Sequence, residues 1–176
     1  NVTNFEGTDA FPMWHGGRIW FLSDKGGTGN LWSMLPDGSD RKRGTDVAPW
    51  DVRTPSIAPD GRIAFTSSRA NEMDEYNHSP AEVLYTCNDD GTAIERISFN
   101  QSDDFDPELL PDGRLVYTRW EHFGTMNRFP LFFTNPDGTG TFHFFGPHNR
   151  NFFHPVVTPD GRLLAIESTM VEEDNG

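Results

Sequence analysis

A Pro-Asp-Gly-Arg tetrapeptide that recurs along the chain is the feature that most constrains its fold. It stands at 59–62, 111–114 and 159–162, and a degenerate copy, His-Gly-Gly-Arg, stands at 15–18. The arginines of successive copies are 44, 52 and 48 residues apart. Proline presets one dihedral of such a turn, and glycine adopts the positive φ that the turn requires. The chain is therefore built from repeats that place a tight turn at the same point.

Short apolar segments surround these turns. A second set of Asp-Gly turns lies at 36–39, 88–92 and 136–139. Apolar segments of strand length, rich in β-branched and aromatic residues, follow each first turn and precede each second turn. They are apolar on both faces and must be covered on both sides, yet nothing has the pattern of a long amphipathic helix. These segments are 19–22, 63–66, 115–118 and 163–166 after the first turns, and 31–34, 83–86 and 131–134 before the second turns.

Each repeat holds two further extended segments. One precedes the first turn and contains Pro12, Pro55, Pro107 or Pro155; the other follows the second turn, at 41–43, 94–97 and 142–145. Four strands in a period of this length are typical of a β-propeller blade. We therefore predict an all-β fold, a β-propeller of four-stranded antiparallel blades, with three full blades and a partial one. The predicted blades of this single segment, 1–176, are about 8–46, 50–99, 103–147 and 151–176.

The blade count predicts an incomplete ring. Propellers usually have four to eight blades, so we expect a segment of a larger propeller, or a piece that other chains complete. The alternative is a small closed ring of four blades with an atypical last blade. The segment 1–3 resembles the end of a preceding fourth strand, and the chain starts at Asn1 without a basic, apolar leader, which suggests a removed leader or a piece of a longer protein.

Charge and cysteine content exclude several classes of function. The chain has 14 Lys and Arg against 27 Asp and Glu, a net charge of −13, which disfavours binding to nucleic acid and to anionic membrane surfaces. No apolar run approaches the roughly 20 residues that a membrane-spanning helix needs. The single cysteine, Cys87, allows neither an intrachain disulfide nor a Cys-x-x-Cys site for zinc or covalent haem.

The repeat resembles a known propeller family. Its pattern, Asp-x-x-Pro, Pro-Asp-Gly-Arg-Ile-x-Phe-x-Ser, Leu-Trp-Ser and Asp-Gly, resembles the TolB-type repeat and lacks the Gly-His and Trp-Asp signature of the WD type. Residues 7–24 resemble blades of tricorn-type peptidases, and 104–121 resemble propellers of the hydrazine synthase α-subunit type. The TolB resemblance implies binding of protein or peptide segments at the channel mouth, in a periplasmic or other extracytoplasmic location. In the other two families the catalytic domain or haem sites lie outside the propeller.

The two faces of a propeller differ in their loops. Because strands run alternately up and down, the two sets of Asp-Gly turns share one face, which we call the turn face. The loops between the second and third strand of each blade, 23–30, 67–82 and 118–130, lie on the opposite face, which we call the loop face. Loops that vary on a regular scaffold usually carry binding, so we expect a protein or peptide to bind the loop face.

Candidate binding residues lie where the loop face meets the channel. They are Asp9, Asp51, Arg53, Asp104, Asp106 and His154, placed just before the first strands, with Trp120 and His122 from the loop 118–130. The carboxylates could hold a cationic group or a metal, and Asp104 and Asp106, two residues apart, could face one side of a strand. Alternatively, the aspartates cap turns through backbone amides, and His154 has a structural role. Trp14, Trp50 and Trp120 are candidates for an exposed recognition surface.

Catalytic motifs are absent from the sequence. There is no Gly-x-Ser-x-Gly elbow, no His-Glu-x-x-His and no phosphate-binding glycine loop, and the histidines lack metal-ligand spacing. We therefore predict no catalytic, metal or cofactor residues, and the leading hypothesis is a non-catalytic scaffold that binds a protein or peptide. A second hypothesis is an accessory propeller domain of a larger enzyme. A third is a hydrolase site in the channel, built from the aspartates and His154.

Overall fold

The computed structural model describes residues 3, 5–46, 49–58, 60–124 and 126–169, and within these ranges all regular structure is β-strand. Asn1 and Val2 of the segment 1–3, Pro59 of the Pro-Asp-Gly-Arg turn at 59–62, and the predicted end of the fourth blade at 170–176 lie outside the described residues. The strands are β1 (Asp9–His15), β2 (Arg18–Ser23), β3 (Asn30–Met34), β4 (Lys42–Arg43), β5 (Arg53–Ile57), β6 (Ile63–Ser67), β7 (Val83–Cys87), β8 (Glu95–Arg96), β9 (Asp104–Leu109), β10 (Leu115–Arg119), β11 (Glu121–Phe123), β12 (Met126–Arg128), β13 (Leu131–Thr134), β14 (Phe142–Phe145), β15 (Arg150–Val157) and β16 (Leu163–Thr169).

Three antiparallel four-stranded sheets and one two-stranded sheet form the predicted blades. Their strand orders are β1-β2-β3-β4, β5-β6-β7-β8 and β9-β10-β13-β14, and β15 pairs with β16. We call these sheets blades one to four. The all-β propeller with three full blades and a partial one is confirmed. One element was not predicted: within 118–130, β11 and β12 form a separate hairpin.

The core lies between the blades, which explains strands that are apolar on both faces. Alternate residues of one strand point to opposite neighbours because side chains in a strand alternate. In β6, Phe65 packs with Trp20 of blade one, whereas Ala64 packs with Leu115 and Tyr117 of blade three. A third cluster joins blades three and four in the same way. Each blade thus depends on its neighbours to bury its apolar side chains.

The last blade leaves one such face open. The residue two positions after the turn arginine packs on the following blade in blades one to three, as Trp20, Ala64 and Val116, and these side chains are at most 6% exposed. The equivalent Leu164 is 57% exposed, and Ile166 beside it is 59% exposed. No described residue covers this face of blade four, so the blades form an open arc.

Candidate functional site

The first strand of each blade has the same irregularity next to its proline. Strand β5 contacts β1 on one side and β9 on the other, and β9 contacts β15. Each of these strands shifts register once against the second strand of its blade. The residue before the proline has a positive φ in all four, and these residues are Phe11 (51°), Thr54 (40°), Asp106 (55°) and His154 (49°).

This bulge is unfavourable on local grounds. A residue before proline normally adopts an extended conformation, and a left-handed one strains any residue with a side chain, above all β-branched Thr54. Strain of this kind persists only where tertiary structure enforces it, and it gathers at functional sites. Here it brings equivalent residues of four blades to one cavity of about 160 Å³. The cavity is lined by Phe11, Thr54, Pro55, Asp106, Pro107, Glu108, His154, Pro155 and Val156.

An aspartate and a histidine from different blades pair in this cavity. Nδ1 of His154 lies 2.8 Å from Oδ2 of Asp106, and the backbone N–H of His154 donates to the same oxygen at 3.3 Å. Asp106 is 9% exposed, whereas the imidazole of His154 is largely accessible. Burial raises the pKa of Asp106, and the charge of His154 opposes that effect. Oδ1 of Asp106 accepts no hydrogen bond from any described residue.

Glu108 adds a second carboxylate to the cavity. Its Oε1 accepts a hydrogen bond from the N–H of Val157 at 3.2 Å, and its Oε2 lies 3.5 Å from the hydroxyl of Ser56. Burial raises the pKa of Glu108, while these two hydrogen bonds lower it. None of the residues lining the cavity is a lysine or an arginine. Two partly desolvated carboxylates therefore share the cavity with one imidazole.

The mouth of the channel holds an arginine between carboxylates. Nη1 of Arg53 lies 2.8 Å from Oε1 of Glu82, and Nη2 lies 3.7 Å from Oδ2 of Asp51. Oδ1 of Asp51 accepts a hydrogen bond at 2.7 Å from the N–H of Gly29 in the preceding blade. In the same way, Oδ1 of Asp103 accepts a hydrogen bond from the N–H of Glu82, and Oδ1 of Asn151 accepts one from the N–H of Phe129. Asp51 therefore fits the alternative in which the aspartates bind backbone amides. An equivalent hydrogen bond links each pair of neighbouring blades.

Asp104 lies away from the cavity. It is fully buried, and its Oδ1 and Oδ2 lie 2.7 Å and 2.9 Å from Nε and Nη2 of Arg119 on the next strand. Asp104 and Asp106 do not face one side, contrary to the expectation from their spacing, because the bulge at Asp106 interrupts the alternation of the strand. Asp9, the equivalent residue of β1, lies opposite Ser23 and does not line the cavity.

Trp120 and His122 belong to an aromatic cluster that extends from the loop 67–82 to strands β9 and β15. Tyr76 of the loop 67–82 contacts both, with ring centroids 6.1 Å from Trp120 and 4.4 Å from His122. Trp120 stacks on Phe129, whose centroid lies 5.0 Å from that of Phe153. Phe153 immediately precedes His154 in the chain, but none of the rings of this cluster lines the cavity. We call the rings of Tyr76, Phe105, Trp120, His122, Phe129 and Phe153 the aromatic cluster.

The tryptophans differ in exposure. Trp14 is exposed, as expected, and Trp50 is partly buried. Trp120 is only 6% exposed, contrary to the expectation of a surface side chain. Phe129 stacks on its ring, Tyr76 packs perpendicular to it, and its Nε1 donates to Oδ1 of Asn127 at 2.8 Å. Its contribution to the loop face is to support Tyr76 and His122.

Several residues of this site escaped the sequence reasoning. Glu108, Thr54 and Phe11 line the cavity, and Glu82 neighbours Arg53, yet none was a candidate. The available signal was the proline of the first strand: aligning the repeats on it places Phe11, Thr54, Asp106 and His154 in one column. The sequence does not show that these four residues line one cavity, because that follows from the bulge in each first strand.

The described residues form neither a metal-binding cluster nor a membrane-spanning helix. No group of three His, Cys, Asp or Glu side chains is arranged to hold a metal ion in the part of the chain that the structure describes. The same ranges hold no helix with the length and apolar character needed to cross a membrane.

The four-stranded blades show that the chain belongs to the β-propeller class of folds. Two proteins are similar to it in sequence. No family model matches. Tricorn protease homolog 1 of Streptomyces coelicolor is 45% identical over 64 residues, which are 36% of this chain and 6% of that protein. Hydrazine synthase subunit alpha of Kuenenia stuttgartiensis is 24% identical, with 62% of this chain and 20% of that subunit aligned. The chain thus spans a small part of both curated relatives.

Solved structures agree on the fold. Hydrazine synthase of Kuenenia stuttgartiensis matches with a TM-score of 0.79 and 23% identity over 95% of this chain and 30% of that one. TolB of Acinetobacter baumannii matches with a TM-score of 0.69 and 16% identity over 99% and 43%. A structure of YCF48 bound to D1 peptide matches with a TM-score of 0.57 and 16% identity over 93% and 49%. The chain is a propeller domain similar to TolB and to hydrazine synthase, and the predicted resemblance to TolB-type, tricorn-type and hydrazine synthase propellers is confirmed.

Proposed function

We propose that the chain is a non-catalytic propeller scaffold that binds a protein or peptide segment at the channel mouth on its loop face. The observation that carries the proposal is the cavity at which four equivalent bulge residues meet, together with the exposed ring of Tyr76 on the loop face. Binding residues usually stand on loops that a rigid scaffold positions, and here the repeat supplies that scaffold.

The size of the cavity favours a segment of a larger partner over a free small molecule. Pockets for drug-sized ligands usually have about 300–1,000 Å³, whereas this cavity has about 160 Å³. One side chain or chain terminus fits such a volume, and the rest of the partner then lies on the loop face. Tyr76, which is 41% exposed, offers the rigid aromatic contact area that recurs in protein interfaces. The peptide complex of YCF48, another propeller-like structure, supports this choice by analogy.

The test is selection of peptides from a random displayed library, followed by affinity measurements in solution. We expect enriched peptides whose binding falls by about tenfold or more in a Tyr76→Ala/His122→Ala variant. Arg162→Ala on the turn face is the matched control and should leave affinity unchanged, because this side chain is exposed on the opposite face. Peptides that bind both variants and the original chain equally would refute the proposal.

A second candidate function is that of an accessory propeller domain in a larger enzyme. The observation that favours it is the 45% identity to a tricorn protease homologue of which the chain covers 6%. In that case the loop face would guide a peptide towards chemistry performed elsewhere. The peptidase or hydrazine synthase type of enzyme would be distinguished by the domains encoded beside this segment in the full gene.

The cavity contains only some of the groups that a hydrolase site in the channel would need. Asp106 and His154 do pair, but Thr54 supplies the one side-chain hydroxyl among the described residues that line the cavity. Its Oγ1 lies 3.2 Å from Oγ1 of Thr66 in its own blade. We therefore favour binding over catalysis in the channel.

Two further parts of the proposal concern the setting of the domain. A further blade, from the same polypeptide or from another chain, covers the open face of blade four at Leu164 and Ile166. The protein acts in the periplasm or another extracytoplasmic space, which the likeness to TolB supports. Binding of nucleic acid is not part of the proposal, because a net charge of −13 repels phosphate.

A further inference from the structure

We infer that an apolar groove on the loop face is an anchor site for the partner segment, and that it takes an apolar side chain next to a lysine or arginine. The groove lies between the loop 67–82 and the segment 97–103, which joins blade two to blade three. This inference rests on the proposed function and adds to it the place and the chemistry of the anchor.

Two exposed apolar side chains line this groove, which we call the Phe99 groove. Met73 is 60% exposed and Phe99 is 73% exposed, the largest value among the large apolar side chains that the structure describes. The groove has a volume of about 490 Å³, within the range of about 300–1,000 Å³ that is usual for ligand pockets. Exposed apolar patches with a polar rim mark interaction sites, and methionine and aromatic residues are enriched at the centres of protein interfaces.

The exposure of this groove does not result from the open end of the arc. The other strongly exposed apolar side chains of the later blades, such as Leu164, lie on or beside the open face of blade four. Phe142 and Phe144 contact Phe133, which packs between blades three and four. The Phe99 groove instead lies between blades two and three, which both have all four strands. A further blade beyond blade four would therefore leave the groove open for a partner.

Polar contacts hold the groove in shape before a partner arrives. Asp74 is only 3% exposed, and its carboxylate accepts hydrogen bonds at 2.9 Å and 3.0 Å from two backbone N–H groups of its own loop. Both oxygens of Glu72 accept hydrogen bonds from the guanidinium of Arg96, at 2.9 Å and 2.8 Å. Met73 lies between these two anchored residues. A site ordered in advance loses less conformational entropy on binding, so more of the contact energy appears as affinity.

One carboxylate at the groove has no counter-charge. Glu75 is exposed, and its Oε1 lies 3.3 Å from Oγ of Ser102, but it forms no ion pair with any residue that the structure describes. Glu72, the other acidic residue of the groove, is already paired with Arg96. The groove therefore has a net negative charge in a chain whose net charge is −13. A lysine or arginine of the partner would complement that charge.

The anchor itself should be apolar rather than cationic. Cζ of Arg96 lies 4.7 Å from the ring centroid of Phe99, so this ring already has a cation over it. The part of the ring that remains exposed and the flexible side chain of Met73 offer apolar surface that can adapt to its ligand. An aliphatic or aromatic side chain of the partner would cover this surface, with the basic neighbour beside Glu75.

The direct test is a titration of the isotopically labelled protein with the peptide acetyl-Ser-Leu-Lys-Ser-amide, followed by amide chemical shifts. We expect saturable shifts at the amides of Met73 and Phe99. Serine in place of the leucine should weaken binding by about tenfold or more, because one buried apolar side chain is lost. Glutamate in place of the lysine should weaken binding by about threefold or more, as expected for an exposed charge pair. No saturable shift in the groove, or equal affinity for the probe and either altered peptide, would overturn the inference.

Variants with exposed controls provide the second test. Phe99→Ser should weaken binding of the probe by about tenfold, whereas Phe142→Ser, at an aromatic residue that is 63% exposed on β14, should not change it. Glu75→Gln should remove the preference for lysine over glutamate in the peptide, whereas Glu95→Gln on the turn face should retain it. All four side chains are exposed, so the variants should fold. Unchanged binding in Phe99→Ser, or an unchanged preference for lysine in Glu75→Gln, would refute the groove as the anchor site.

The two levels of proposal fail in different ways. Library peptides that need Tyr76 and His122, but do not respond to Phe99→Ser and carry no apolar residue next to a basic one, would leave the peptide-binding scaffold standing and refute the anchor site. Binding of the probe in the Phe99 groove without any library peptide that depends on Tyr76 and His122 would refute the scaffold proposal instead.

Discussion

The buried ion pair between Asp104 and Arg119 should be the most sensitive polar contact in the arc. Asp104 is fully buried and makes two hydrogen bonds, at 2.7 Å and 2.9 Å, to the guanidinium of Arg119. The guanidinium also lies 4.6 Å from the ring centroid of Phe132. The Asp104→Asn variant keeps the shape of the side chain and removes its charge, so Arg119 loses its counter-charge in a site that water reaches poorly.

The expected loss follows from that geometry. Removing one partner of a buried ion pair costs about 3–5 kcal/mol of the free energy of unfolding, because the remaining charge stays desolvated. Arg119→Met should cost a similar amount for the same reason. In the double variant no charge remains, so its loss should be smaller than the two single losses together, with a coupling of about 0.5–3 kcal/mol.

Urea denaturation monitored by tryptophan fluorescence measures these free energies. The matched control is Arg162→Met, whose partner Asp160 is exposed, and no measurable change is expected because solvent screens such a pair. A loss below about 1 kcal/mol for Asp104→Asn, which is the range of exposed pairs, would refute the reasoning. Strict additivity in the double variant would refute it as well.

Other features of the structure lead to three further predictions. Because burial raises the pKa of Glu108, its charge lowers stability above that pKa and has no such effect below the unfolded value of about 4.3. Glu108→Gln should therefore raise the free energy of unfolding at about pH 7, with the gain vanishing near pH 4; urea titrations at both pH values check this, and a gain independent of pH would contradict it. The open face of blade four should cause concentration-dependent association, which Leu164→Thr/Ile166→Thr should reduce in light-scattering measurements; association of equal strength in the variant would count against the exposed face as its cause. Ala93 has a φ of 51° where the equivalent turn residue of blade three is Gly140, so Ala93→Gly should stabilise the protein by up to about 1 kcal/mol in thermal unfolding, whereas Gly140→Ala should destabilise it; the opposite signs would show that the turn is not strained.

Much of the fold could be predicted because its determinants are local and repeated. The Asp-Gly turns show this: Oδ1 of Asp90 accepts a hydrogen bond from the N–H of Thr92 two residues later, and Asp37 and Asp137 do the same in their turns. Such contacts need only neighbouring residues, so their pattern is visible in the sequence. Strands apolar on both faces then imply blades packed on blades.

The candidate site was harder to predict from the sequence, because its residues are distant from one another along the chain. Asp106 and His154 were candidates, but their pairing depends on how β15 lies against β9. Glu108 was missed because the sequence does not show which glutamates are partly buried. Trp120 was expected at the surface, and only the packing of Tyr76 and Phe129 over it buries the ring.

The sequence by itself thus determined the period, the turns and the four strands of each full blade, since these depend on contacts within a few residues. Only the tertiary structure decided which side chains face the channel. The residue before each proline would favour an extended conformation in isolation, and the packing of the first strands around the channel holds it in a left-handed one instead. That long-range constraint directs the side chains of Asp106 and His154 towards each other, while Asp104 forms its ion pair with Arg119.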